Sequence, residues 1–192
     1  FRENSFFEKS IFNADIRFQG AEFTKGPDFS QAIFNGGTDF SKSTFNGEVL
    51  FLATFCGYTT FSEATFSQDV QFTGRTFHQE VDFSKSTFKE LSIFIGVFFK
   101  GKTLFNDATF TKSVNFSDAT FENYEPLFVS GEERAKFSVR PSQEDYIFSV
   151  SSNSKPIHKL DDVTRRIPIG TVLFDPSSPK DENGKYRESP PA

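Results

Sequence analysis

Few residues of this 192-residue chain have types that could do chemistry, and their spacing gives them little to work with. The single cysteine, Cys56, and one of the two histidines, His78, lie 22 positions apart. Each directly follows a phenylalanine, Phe55 and Phe77, and Glu80 lies two positions after His78. On a chain that repeats at that distance, thiol and imidazole would share one ladder. They could hold zinc weakly, but two soft ligands do not complete a structural site. Glu63, Asp69, Glu80 and Asp82 are candidate carboxylates. Acid–base work needs a cleft that fixes their separation. No HExxH, CxxC or glycine-rich phosphate loop occurs. Asn115-Phe116-Ser117 is a formal glycosylation sequon that says nothing without a compartment. No catalytic, metal or cofactor-binding residue is assigned, and the reading is of a chain that is not an enzyme and calls for no cofactor.

The elements that must position these residues follow from phenylalanine. It fills 29 positions, while methionine and tryptophan are absent. In "FSEATFSQDVQFTGRTFHQEVDFSKSTF", residues 61–88, it recurs at alternating steps of five and six. The alternation runs from Phe1 to Phe121 and takes in 23 of the 29. Its one break is Phe51 to Phe55, a single-residue deletion. A small or β-branched residue stands two positions before most of these rings, for example Ala32, Val49, Ala64, Val81 and Ala119. Residues two apart on an extended chain point to the same side. Each phenylalanine and its partner therefore face inward together, and polar turn formers separate the pairs. An eleven-residue period also fits a right-handed coiled coil. The β-branched residues, serines and glycines that fill this unit argue against helix.

The pattern predicts a β-solenoid with four sides and about 22 residues per coil. Phenylalanines that far apart then stack in four columns, on Phe7, Phe12, Phe18 and Phe1. Just over five coils at about 4.8 Å each make a column roughly 26 Å tall. Each buried ring contributes about 1.5–3 kcal/mol.

These units, "FSxATFxxxVxF" with pairs such as Ala64–Phe66 and Ala119–Phe121, resemble the pentapeptide-repeat family. The resemblance covers residues 1 to about 128 and implies a right-handed quadrilateral β-helix. It implies little about function, which varies across the family. The steps here depart from strict fives, so coils slightly larger and less square are expected. Some members imitate duplex DNA and inhibit topoisomerases, which makes mimicry one alternative. Residues 1–127 hold 16 acidic and 11 basic side chains, a net of −5. Duplex DNA carries about 15 charges over 26 Å, so this column has roughly a third of that density.

The expected organisation is a solenoid over 1–128, a small irregular or β-rich C-terminal cap over 129–175, and a flexible tail over 176–192. The register loosens at Phe128, one residue late, with Pro126 in the small slot. Strand character returns in 135–140, 145–152 and 167–174. A binding or catalytic role in this extension is a second alternative. The net charge of −5 implies no polyanion-binding surface and no nucleic-acid partner. No apolar run is long enough to span a membrane. The chain opens at Phe1 rather than methionine, and a processed or truncated start is expected.

Two surface features stand out. Arg75 occupies a small inward slot two before Phe77, between Ala53 and Val97 on its stack. A guanidinium buried there alone is costly. A local bulge, or snorkelling to the rim, is expected. Ile33, Leu50, Leu52, Ile93, Ile95 and Phe98 fall at outward positions where the repeat places serine, threonine or aspartate. They read as one apolar solenoid face built on Phe29, Phe51, Phe72 and Phe94. An apolar patch on a polar column is a docking surface. Its occupant is another protein or subunit, or the chain's own C-terminal region. The functional expectation is thus a non-catalytic interaction or scaffold module.

Overall fold

The computed structural model describes residues 1–141, 146–148, 154–158, 160 and 165–191. It is a right-handed, all-β solenoid whose short parallel strands stack into four faces. The first face runs through Val49–Leu50, Val70–Gln71, Ser92–Ile93, Val114–Asn115 and Tyr146–Ile147. The second runs from Ile11–Phe12 through Ile33–Phe34, Thr54–Phe55, Thr76–Phe77 and Phe98–Phe99 to Thr120–Phe121. The third spans Ile16–Arg17, Thr38–Asp39, Thr59–Thr60, Val81–Asp82 and Thr103–Leu104. The fourth begins at Glu22–Phe23, follows Thr44–Phe45, Thr65–Phe66, Thr87–Phe88 and Thr109–Phe110, and continues into the C-terminal region.

The register that makes these faces is the one the phenylalanine spacing demands. All four columns form: Phe51 lies over Phe72 at 5.1 Å and 6° between planes, and Phe61 over Phe83 at 5.0 Å and 3°. Rings of neighbouring columns meet edge-on, as Phe40 and Phe51 do at 5.2 Å and 73°. Offset stacking along the axis and edge-to-face contact across it both suit the ring quadrupole. Every ring from Phe23 to Phe116 in this series is buried.

Two kinds of corner explain the alternating steps. Five-residue steps place the second residue after the phenylalanine in the left-handed region, as at Gln31, Lys42, Glu63 and Asp107. Gly74, at φ 61°, fills the same position in open space, so conformation rather than crowding favours glycine there. The deletion between Phe51 and Phe55 removes this left-handed residue from its corner.

The column does not stop where the period does. Phe128, although one residue late, stacks on Phe105 at 5.1 Å, and Pro126 beside it is buried. Phe137 stacks on Phe110 at 5.0 Å and Phe148 on Phe116 at 5.7 Å. The insert between Phe128 and Phe137 leaves the core. It forms the hairpin Val129–Ser130 against Glu133–Arg134. It is tied to the repeat through Glu133, which meets Lys85 at 2.8 Å and accepts from Asn106 at 2.6 Å.

Lys136–Ser138 and Tyr146–Ile147 fall within the expected strand segments 135–140 and 145–152, Arg165–Pro168 and Val172–Asp175 overlap 167–174 at its two ends, and Ser154–His158 lies outside all three. Residues 142–145 and 149–153 lie outside the described residues. Val172–Asp175 adds to the fourth face in parallel, with Leu173 opposite Phe137. Within residues 176–191, part of the segment expected as a flexible tail over 176–192, the chain turns back on the fold. Arg187–Glu188 pairs antiparallel with Val172–Asp175, and the Ser189 hydroxyl accepts from the Leu173 amide at 3.0 Å. The reversal is made by Asp175, whose carboxylate accepts from the Ser177 amide, and by Asp181, which accepts from the amides of Asn183 and Lys185.

Candidate docking surface

Outward side chains on this column form ladders, because each strand contributes one residue between two inward ones. On the first face the ladder reads Asp28, Leu50, Gln71, Ile93, Asn115, Ile147. On the second it reads Ile11, Ile33, Thr54 and, further along, Thr76, Phe98, Thr120. The third carries Arg17, Asp39, Thr60, Asp82, Leu104. The fourth carries Glu22, then threonines at 44, 65, 87 and 109, then Lys136. None of the four is a continuous acidic stripe.

The six apolar residues therefore do not share one face. Leu50 and Ile93 stand on the first face, with Gln71 as the rung between them. Ile33 and Phe98 stand on the second, because the rings they precede, Phe34 and Phe99, belong to the next column. Leu52 and Ile95 lie on the corner between the two faces, where their carbonyls accept from the amides of Gln31 and Gly74. The grouping is a corner with a flank on either side. Exposure differs along it: Phe98 is 51% and Ile33 36% exposed, while the other four are half-buried. Two residues that sequence reasoning missed extend the flanks. Ile11 is exposed on the rung before Ile33, and Ile147 is exposed at the end of the first-face ladder. Ile11 precedes inward Phe12, the same signal that marked Ile33.

Arg75 lies half-buried, one coil after Ala53 in the shortened corner. Its Nε is buried without a hydrogen-bond partner. The ladder is irregular there: Thr54–Phe55 and Thr76–Phe77 register through Phe55 and Phe77 alone, whereas neighbouring rungs pair at both residues. Cys56 and His78 follow stacked rings on consecutive coils, the thiol half-buried and the imidazole exposed. Among the described residues, no three of His, Cys, Asp and Glu converge as metal ligands. The carboxylates Glu63, Asp69, Glu80 and Asp82 are dispersed over the turns and the third face. The interior they surround is filled by rings, which leaves no central cleft. Of the described C-terminal strands, Tyr146–Ile147 extends the first face and Lys136–Ser138, Val172–Asp175 and Arg187–Glu188 extend the fourth, while Val129–Ser130 with Glu133–Arg134 and Ser154–His158 with Arg165–Pro168 form two separate two-stranded sheets.

Parallel coils of about 22 residues around a solid phenylalanine core define a β-solenoid. The chain matches a family model described as pentapeptide repeats (9 copies) over residues 7–54, 29–74 and 61–109, together more than half its length. It belongs to the pentapeptide-repeat family. No curated protein and no solved structure matches it. No helix among the described residues is long and apolar enough to cross a membrane.

Proposed function

We propose that this protein is a docking scaffold that holds another protein against the corner between its first and second faces. The observation that carries this reading is the replacement of the repeat's usual polar outward residues by Leu50, Leu52, Ile93 and Ile95. Ile33 and Phe98 extend the same apolar surface onto the second face. A partner laid across the corner would cover two coils' worth of apolar side chains at once. Their burial is worth several kcal/mol at roughly 25 cal/mol per Å², reduced by the cost of association. A rigid column is suited to this work, because little of that energy is lost in ordering the surface.

The test is L52D/I95D, which places two charges at outward corner positions and leaves the ring columns intact. The variant is expected to keep the far-UV circular dichroism and melting of the parent while losing a protein contact in cross-linking and size-exclusion measurements. If proteolysis instead begins to cut between residues 129 and 175, the corner is covered by the chain's own C-terminal region. A variant unchanged in both respects removes the docking role.

A further inference from the structure

A groove of about 530 Å³ lies between the outer side of the fourth face and the returning segment 174–188. That size falls within the range of small-molecule sites. Its floor is the outward ladder, where Thr87, Thr109 and Lys136 occupy consecutive rungs. One side is made by Lys89, Thr111 and Arg140, and the other by Phe174, Lys185 and Tyr186. Two carboxylates line it, and both are engaged: Glu90 meets Lys112 at 3.6 Å and Glu188 meets Lys136 at 3.0 Å. Lys89, Arg140 and Lys185 have no ion-pair partner among the described residues. A chain of net charge −5 thus places three cations without an ion-pair partner among the described residues around one concavity.

We propose that this groove binds a small organic molecule carrying two or more phosphate groups. Three cations and three threonine hydroxyls supply many donors, and multivalent oxyanions are the ligands that use them. Arg140 offers a planar fork for two oxygens of one group, while Lys89 and Lys185 act as point charges from either side. The groove is too large for one phosphate to fill. The apolar surface of Phe174, Pro176 and Tyr186 is suited to a carbon skeleton joining the charged groups. The two halves come from different parts of the chain, so the site exists only when the C-terminal segment folds back on the fourth face.

Calorimetric titration of the full chain at low ionic strength, without divalent cations, tests this with inorganic pyrophosphate as the smallest probe of the class. Saturable, single-site binding is expected. K89E/R140E, two exposed positions, is expected to weaken it by about tenfold or more. T109V, which removes one hydroxyl from the floor, weakens it less. K42E/K100E, an equal charge change elsewhere, stays within about twofold of the parent. Absence of saturable binding overturns the proposal. So does parental affinity in K89E/R140E, an equal loss in K42E/K100E, or tighter binding of citrate than of pyrophosphate.

Discussion

The repeat and the C-terminal region complete the same ring columns by different means. From Phe7 to Phe121, one residue type recurs in one slot, and the hydrogen bonds that close each coil are mostly backbone to backbone. Beyond Phe121 the rings continue at irregular intervals, and polar side chains tie described residues of this region together. Tyr146 donates to the Ser138 carbonyl at 2.7 Å, and Arg134 to the Gly170 carbonyl at 3.0 Å. Arg165 is buried and donates through Nε to the Pro141 carbonyl at 2.9 Å and through Nη2 to that of Val139. Periodic burial distributes stability over many equal contacts, whereas an irregular coil concentrates it in a few unlike ones. The first fails only when a column is broken, and the second can fail at a single residue.

Phe72→Asp breaks the first arrangement and carries the largest expected effect. It places a carboxylate in a dry stack between Phe51 and Phe94 and leaves a gap beside it, a loss of about 4 kcal/mol or more. Neighbour dependence then spreads the damage to adjacent coils. Thermal melts by circular dichroism should show the transition lowered or lost, and parental melting would refute the inward placement of this series.

Arg165→Ala tests the second arrangement. It removes a buried guanidinium and strands the carbonyls of Val139 and Pro141, a cost of about 2–3 kcal/mol. The loss should be local. Limited proteolysis is expected to cut beyond residue 128 while the far-UV signal of the repeat melts as before. Cutting within the repeat at the same rate would mean that the two regions unfold as one.

Arg75→Ala sharpens the comparison inside the repeat. Alanine is what this slot holds at Ala32 and Ala53, and the Nε it removes is buried without a partner. Stability in urea is expected to stay level or to rise by about 1 kcal/mol. A loss above about 2 kcal/mol would make Arg75 a paired structural residue.

The smallest effect belongs to the tie between the two regions. Hydrogen bonds from Lys85 and Asn106 hold the Glu133 carboxyl below its ordinary value of 4.5. The same hydrogen bond, with the charge beside it, holds Lys85 above its ordinary value. A depressed carboxyl stabilises the fold above its unfolded value and loses that contribution as pH falls through the folded one. The raised amine contributes below its unfolded value and loses it only at strongly alkaline pH. The tie is thus complete at neutrality and opens in acid. Amide-exchange protection factors over residues 129–134 should fall below pH 4.5 in the parent, and Glu133→Gln should lower them at neutral pH and flatten the acid dependence. Both groups are exposed, so salt should weaken the effect.

These regions also differ in how far they can be read from residues alone. Phe29, Phe51, Phe72 and Phe94 announce their column because every coil between them has nearly one length. Leu173 beside Phe137, or Phe148 over Phe116, leaves no such mark, since segments of unequal length separate them in sequence. The outward identity of Leu50 and Ile93 follows from alternation with their neighbouring rings. Their separation from Ile33 and Phe98 depends on which ring each residue precedes. The groove was invisible for a further reason: Lys89 and Lys185 are far apart in sequence, and only the return of the last strand brings them together.

The distribution of aromatic residues has an optical consequence. With no tryptophan and four tyrosines, emission from this protein comes from Tyr58, Tyr124, Tyr146 and Tyr186. Tyr58 is the one tyrosine that lies among the regular coils, while Tyr146 is packed against Phe137 and Tyr186 against Phe174 in the C-terminal region. The stacked phenylalanines are nearly dark at the tyrosine wavelengths. Tyrosine fluorescence therefore reports chiefly on the irregular coil, and backbone dichroism chiefly on the repeat. The protein carries two separate spectroscopic reporters, one for each way of completing its columns, without any label.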